Sequence, residues 1–429
     1  MIWESLYNAI GVPALSVGFH AAAKFDSKVR EGIAGRRDVL RKLKSQLNLA
    51  RQSDHTVWFH FTSVGEFEQA KPLIEAIKDD SRIVLTYFSP SVQADVARYS
   101  YCDASGYLPL DTRNNARALL QIIKPTLLVF SKFDIWPNLV WSAARQKVPI
   151  ILIAGTLHAK SKRMSCLVRP FPRSVHRHIA LHCAISEPDA ERFRQICPPN
   201  ARIEVTGDTR FDRVYQRAAA VEAGTEFFPG QSTLNRPVLI AGSTYSEDER
   251  VVLEAYKFLQ QGPTELRPHL ILVPHEPTEN RIRQIREILN LRGFSYLCFS
   301  DLTEGINLRN TDVIIIDTVG LLAKLYLIGD VVFVGGSFHG SVHNVMEPAA
   351  MAKPILFGPT IHNAYEANVL RDEGAAQLVN NATEMASVLG DLFNDPQERE
   401  RRGLIGRRVI EENLGAAERT LDHLRPYLK

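Results

Sequence analysis

Glu66 stands where a carboxylate could do chemistry. It closes the string Val57-Trp-Phe-His-Phe-Thr-Ser-Val-Gly-Glu66, in which a buried run meets small hydroxyl residues and then a helix to about Lys78. A carboxylate so placed could serve as a general base. Ser63 and Glu66 also have capping-box spacing, with the acid reaching back to the cap. Gly65 argues against capping alone, because glycine in a first helical turn costs stability and lets another molecule approach the backbone.

Four further strings repeat the pattern of a strand that ends in small or polar residues. In Val205-Thr-Gly-Asp-Thr-Arg-Phe-Asp212 the hydroxyls of Thr206 and Thr209, the Gly207 backbone and Arg210 could hold an oxyanion; a capped turn is the alternative. In Val238-Leu-Ile-Ala-Gly-Ser-Thr244, Gly242, Ser243 and Thr244 precede a helix whose N-terminus would suit an anion; Thr244 and Glu247 also have capping-box spacing. His275 lies just past a strand in Leu272-Val-Pro-His-Glu-Pro277. The richest string runs from Val331 to Ala349: a strand, then Gly335, Gly336, Ser337 and a loop. A helix is expected to begin near His343 or Asn344, with Glu347 in its first turn to accept from sugar hydroxyls. Asn344 or Ser341 as a cap would leave the two glycines unexplained.

The elements that must position these residues are short apolar runs separated by helical patterns. In the first half the strand candidates are residues 57–61, 83–88, 126–130, 149–153 and 179–185. In the second half they are 238–241, 269–273, 313–316, 331–334 and 354–357. Nearly all-apolar strands alternating with helices predict parallel sheets covered on both faces. The expected divisions are a basic segment 1–50, a domain 51–222, an aperiodic Gly/Pro/Asn-containing linker 223–237, and a domain 238–429 ending in two charged helices.

Bulk properties narrow the function. The chain has 429 residues, 45% apolar and 23% charged, with a net charge of +3. That charge is too small to imply nucleic acid, and no basic–aromatic platform appears. Five scattered cysteines without a CxxC pair argue against both a zinc site and a disulfide framework. The apolar run from Ile2 to Lys24 is interrupted by Glu4 and Asn8 and bent at Pro13, so it falls short of a spanning helix. From Lys24 to Arg51 nine Lys/Arg stand against three Asp/Glu, an excess of six. An apolar, aromatic-tipped segment followed by cations suits a membrane surface.

At these strings the chain resembles the 3-deoxy-D-manno-octulosonic acid (Kdo) transferases. The matching residues are Ser63-Val-Gly-Glu66, Asp134-Ile-Trp-Pro137, Thr206 to Asp212, Ala241-Gly-Ser-Thr244, Val273-Pro-His275, Asp317-Thr-Val-Gly320, Gly335-Gly-Ser-Phe338 and His343-Asn-Val-Met-Glu-Pro348. They follow the family order from about residue 57 to 370. Lys132 stands where the family often has the first of two acids, Leu321 where a Glu is common, and Val342 where the loop is usually richer in glycine.

The resemblance implies an α/β fold of GT-B architecture, two Rossmann-like, doubly wound parallel-sheet domains facing across a cleft. It implies inverting transfer of Kdo from CMP-Kdo to a hydroxyl of the lipid A precursor, with Glu66 as base. Ser63, Gly65, Asp134 and Lys132 would lie on the acceptor side. Arg210, Gly242, Ser243, Thr244, His275, Gly336, Ser337, His343, Asn344 and Glu347 would bind the donor. No metal or other cofactor is expected, because CMP carries one phosphate and no DxD-like signature follows a strand. The expected location is the cytoplasmic face of the inner membrane, peripheral or monotopic. The competing readings are a GT-B transferase or epimerase acting on UDP-sugars, and a non-catalytic membrane-surface scaffold.

Overall fold

The computed structural model describes residues 2–51, 53–220, 226–262, 267–362 and 364–428. Two compact units share the chain. The first is Met1–Arg213 with Leu414–Lys429, the second Val214–Asn413.

In the first unit, β1 (Thr56–Phe61), β2 (Arg82–Tyr87), β3 (Ala104–Tyr107), β4 (Leu127–Ser131), β5 (Ile150–Gly155), β6 (Leu181–Ala184) and β7 (Ile203–Val205) form one sheet. Its order is β3-β2-β1-β4-β5-β6-β7, and neighbours pair parallel. The second unit repeats the plan with β8 (Val238–Thr244), β9 (His269–Pro274), β10 (Tyr296–Cys298), β11 (Val313–Ile315), β12 (Val331–Val334), β13 (Ile355–Phe357) and β14 (Ala376–Leu378). Its order is β10-β11-β9-β8-β12-β13-β14, again parallel. Buried Trp58, Phe59 and Phe130 centre one core; Leu239, Leu270 and Phe333 centre the other.

All ten expected strands form. The strands outside those ten, β3, β7, β10 and β14, are three or four residues long and lie at sheet edges. Sequences such as Ala-Ser-Gly-Tyr and Ala-Gln-Leu lack the apolar run that a doubly covered central strand requires. The first sheet reverses strand order between β1 and β4 and the second between β8 and β12, the second also exchanging β10 and β11 at its edge. Ligands of open α/β sheets bind outside the carboxyl ends of strands at such a point.

The boundaries differ from the sequence reading in three respects. The C-terminal residues belong to the first unit: Leu421 and Leu424 bury in its core, and Asp212 accepts from Gly415 N (2.7 Å) and Ala417 N (2.9 Å). The expected linker lies within the second unit, where Leu308 N donates to Thr233 Oγ1 at 2.8 Å; its residues 223–225 fall outside the described residues. Residues 1–50 are built into the first unit rather than set apart from it. There helices Ile2–Leu6 and Val12–Ala22 are joined by a π-helical turn, Tyr7–Gly11, so the backbone irregularity comes just before Pro13.

This N-terminal segment is packed by its polar residues. Glu4 pairs with Arg145 and Arg113, Asn8 bonds Asn138 at 2.8 Å, and the Tyr7 hydroxyl donates to Asp111 at 3.0 Å. Its aromatic residues Trp3, Tyr7 and Phe19 pack on Phe171, Trp141 and Phe88, while its aliphatic residues point outward: Ile2 is 75%, Ile10 64% and Val17 69% exposed. No helix among the described residues is long and apolar enough to cross a membrane.

Candidate active site

The first unit places a pair of carboxylates at its reversal point. β1 is buried throughout and runs into the helix Val64–Ile77, with Ser63 at the N-cap. The Glu66 carboxylate turns back and accepts from Thr62 N (2.6 Å) and Ser63 N (2.9 Å). The acid is thus a cap, and it is also 5% exposed. Burial pushes its pKa up, against the two N–H bonds and the charge of Lys132, while Asp134 pushes it further up. A Cβ added at Gly65 would meet nothing within 4 Å, so nothing in the chain demands glycine there.

Asp134 follows β4. It accepts from Trp136 Nε1 at 3.1 Å and from the Thr62 hydroxyl, and lies 3.7 Å from His60 Nε2. Burial would raise its pKa, but His60, Thr62 and Trp136 outweigh burial and hold the carboxyl below its usual range. His60 is fully buried on β1, and its Nδ1 lies 2.9 Å from Thr86 Oγ1, which accepts from Trp58 Nε1 at 2.8 Å. Thr86 can then donate to Nδ1, which leaves the His60 Nε2–H facing Asp134. The pKa values of these two carboxylates are therefore driven in opposite directions.

Cations border the pair. Lys132 adopts φ 69°, and its Nζ lies 5.6 Å from the ring of the half-exposed Phe133, as does the Arg163 guanidinium. Arg210 also lies in the first unit. It bonds the buried Asp208 (Nη2 to Oδ2 2.7 Å), which Gln69 of the Glu66 helix also contacts, while Thr209 Oγ1 donates to Gln69 O at 2.6 Å. The Thr206–Asp212 string thus fastens two helices to the sheet. The remaining expected donor residues all lie in the second unit.

There Gly242, Ser243, Thr244, His275, Gly336, Ser337, His343, Asn344 and Glu347 gather at the carboxyl ends of β8, β9 and β12. The cap after β8 is shifted by one residue from expectation: Tyr245 is the N-cap and Asp248 the reaching acid. Thr244 instead donates to Glu249 Oε1 at 3.1 Å, and the half-buried Glu247 bonds Ser246 and His339. Asp248 accepts from Tyr245 N (2.9 Å), Gly336 N (2.8 Å) and Phe338 N (3.2 Å), fixing the glycine turn to the helix.

The two glycines have a structural cause that the sequence reading lacked. A Cβ on Gly335 would lie 2.5 Å from Ser243 O, and one on Gly336, at φ 94°, 2.3 Å from Ser341 O. Ser337 Oγ is buried and accepts from Gly358 N at 2.6 Å. The following helix begins at Met346, later than expected, because the loop packs back on the glycines, with His343 N donating to Gly335 O at 3.0 Å and Asn344 Oδ1 accepting from Met346 N at 3.1 Å. Glu347 lies 3.4 Å from Arg217.

Four rings collect beside this loop: His275 stacks on His343 at 4.3 Å, and Tyr245 lies 4.3 Å from His339, 4.9 Å from His275 and 5.6 Å from His343. Burial, reinforced by His275 and His339, pushes the His343 pKa down to about 4, so this imidazole is neutral at pH 7. Tyr245, His339 and Asp248 were not anticipated, nor were His60 and Thr62 of the first unit. Among the described residues one cluster has metal-type ligands, the buried His176, His182 and Cys197. His176 Nδ1 and His182 Nε2 are at hydrogen-bond distance, 2.9 Å.

Residues 36–213 match the family model of 3-deoxy-D-manno-octulosonic-acid transferases (kdotransferases). The chain is similar to the Kdo transferases. A 3-deoxy-D-manno-octulosonic acid transferase of Haemophilus influenzae is 28% identical over 388 residues, 87% of either chain. One of Aquifex aeolicus is 28% identical over 348 residues, 80% of this chain and 87% of that one. Among solved structures, UDP-GlcNAc 2-epimerase from Neisseria meningitidis bound to UDP-GlcNAc superposes with a TM-score of 0.56 at 15% identity, over 84% of this chain and 99% of that one. Likeness at that identity establishes the fold, a two-domain Rossmann-like α/β architecture of GT-B type.

Proposed function

We propose that the protein transfers Kdo from CMP-Kdo to a hydroxyl of the lipid A precursor, with inversion, at the cytoplasmic face of the inner membrane. The observation that carries this reading is the Glu66–Asp134 pair, on a chain whose relatives are named Kdo transferases. Glu66 takes the proton of the acceptor hydroxyl as its oxygen bonds the anomeric carbon. The bond from that carbon to the CMP phosphate oxygen breaks, and CMP leaves with the electron pair. A buried carboxylate of raised pKa holds that proton better than an exposed one. Asp134, kept ionised, favours positive charge beside it.

The leaving CMP falls to the second unit. The Ser243–Thr244 turn, Asn344 and the Tyr245/His275/His343 rings offer polar groups and flat faces for a phosphate and a base. Nothing in this scheme calls on a metal, so activity should survive excess EDTA; loss of activity that magnesium restores would refute that part.

A lipid acceptor is supported by an apolar cavity of about 640 Å³ in the first unit. Phe19, Val29, Ile33, Leu40 and Phe88 line it, with Lys28, Arg36 and Arg41 among its walls. Phe88 stacks on Trp136 at 5.0 Å, and Trp136 bonds Asp134, so the cavity borders the carboxylates. Acyl chains fit such walls, and phosphates fit such cations. The decisive experiment is incubation with CMP-Kdo and tetraacyl lipid A precursor, with product mass as readout. Binding of UDP in place of CMP by the purified protein would favour the UDP-sugar alternative.

A further inference from the structure

The helix Pro170–His176 carries cations that the proposed reaction does not use. Arg169 precedes it, Arg173 lies within it and Arg177 ends it, at intervals of four that align them on one face. With Trp3, Cys166, Ser174, Pro198 and Asn200 they line a cleft of about 560 Å³. Among the described residues no carboxylate pairs with any of the three. Arg169 Nη2 donates to Met164 O (3.1 Å) and Arg173 Nη2 to Gln195 O (3.2 Å), both uncharged acceptors. Arg169 Nε is buried without a partner. Across Trp3 an adjoining cleft adds Arg145 and His178, with Glu4 its single acid, and Glu4 is already engaged by Arg145 and Arg113.

The rim of this cleft is apolar and exposed. Leu167, in the segment between Cys166 and Arg169, is 89% exposed and Val168 41%. Trp3, edge-on to Phe171 at 6.2 Å, lines the cleft, and Ile2 and Leu6 of the same N-terminal turns are exposed. Tryptophan and aliphatic side chains flanking unpaired arginines match the headgroup level of a bilayer, where apolar groups enter the acyl boundary and cations meet phosphates. Guanidinium forks suit phosphate oxygens in geometry as well as charge.

We propose that this arginine cleft binds the phosphate of an anionic bilayer phospholipid, as a site separate from the acceptor groups. The proposal rests on the reading that the outward apolar face of the N-terminal helices lies on a membrane. It orients the protein on that surface and makes binding depend on lipid charge.

Sedimentation of the full-length protein with phosphatidylcholine vesicles, with and without one-fifth phosphatidylglycerol, tests it. Arg173 and Arg177 are exposed, so R173Q/R177Q should fold as the wild type does. The wild type should prefer the anionic vesicles, and R173Q/R177Q should lose that preference, about 30-fold for two cations. R283Q/R309Q, which removes two exposed arginines of the second unit, should keep it. Equal loss in both variants, or none in R173Q/R177Q, overturns the site. Wild type that binds both vesicles alike leaves the membrane reading standing and overturns the cleft. Wild type that binds neither overturns both. Competition by millimolar glycerol phosphate would make the cleft a site for free phosphate. A raised KM for detergent-dispersed acceptor in R173Q/R177Q would assign it to the acceptor's own phosphate; either result overturns the bilayer assignment.

Discussion

At the scale of single residues, Glu66 is a helix cap and the proposed base, two roles that substitution can separate. Gln keeps an oxygen to accept from Thr62 N and Ser63 N but cannot take a proton; Ala loses the cap as well. E66Q should lower kcat by about 10²–10⁴-fold with CMP affinity and Tm near the wild-type values. E66A should lower activity equally and also cost about 0.5–2 kcal/mol of stability, as loss of an N-terminal cap does. Turnover in E66Q close to wild type would remove Glu66 from the chemistry. The pH dependence has a definite sign. Burial raises the Glu66 pKa and Asp134 adds to that rise, so base activity fails on acidification at a pH above the ordinary glutamate range. D134N removes the Asp134 charge and should move the acidic limb of kcat/KM to lower pH; a limb that moves up or stays in place would show that the two groups are not coupled. Glu66 was legible because its strand, turn and helix are contiguous in the chain. His60 and Thr62 were not legible as partners of Asp134, because parallel pairing of β1 with β4 makes that contact and no local string encodes it.

At the scale of elements, the glycines that looked alike in the sequence differ in cause. Gly335 and Gly336 are required by backbone packed against backbone, whereas the space beside Gly65 is open. G335A should therefore disrupt the loop that Asp248 holds and lower stability and CMP binding together. G65A should raise stability by up to about 1 kcal/mol, the helix propensity difference, and lower kcat/KM if acceptor occupies the space. Calorimetric Tm and steady-state kinetics read the two effects; unchanged kinetics would mean that no ligand approaches Gly65. D248A removes the acceptor shared by three backbone N–H groups. It should destabilise the protein by on the order of 3 kcal/mol and weaken CMP binding in calorimetry, and unaltered CMP affinity would dissociate the ring cluster from the donor. The central strands were readable because both faces are covered, which leaves uninterrupted apolar runs. The cap after β8 was misread by one residue because Glu247, Asp248 and Glu249 are consecutive acids, and only the approach of the Gly336 turn selects Asp248.

At the scale of the whole molecule, a net charge of +3 conceals an uneven surface. The N-terminal segment read as a weak amphipathic stretch because Glu4 and Asn8 interrupt it. In the fold those two residues are among its points of attachment, and Ile2, Ile10 and Val17 are left in solvent. An apolar face that a folded unit holds outward costs solubility unless something covers it. A bilayer surface covers it without a spanning helix. Deletion of the segment is a poor test, because it would also uncover Phe171 and Asp111, which Trp3 and Tyr7 contact. I10S/V17S alters only outward side chains and should leave Tm unchanged. It should weaken binding to neutral phosphatidylcholine vesicles, where charge gives no help, by about 1.5 kcal/mol or more for each removed aliphatic chain. Because the basic stretch Lys24–Arg51 is untouched, binding of I10S/V17S to anionic vesicles should persist at low salt and vanish at high salt. Wild-type binding that resists salt, beside variant binding that does not, would assign the apolar term to this helix. Equal salt sensitivity of the two proteins would mean that the outward residues never enter the bilayer.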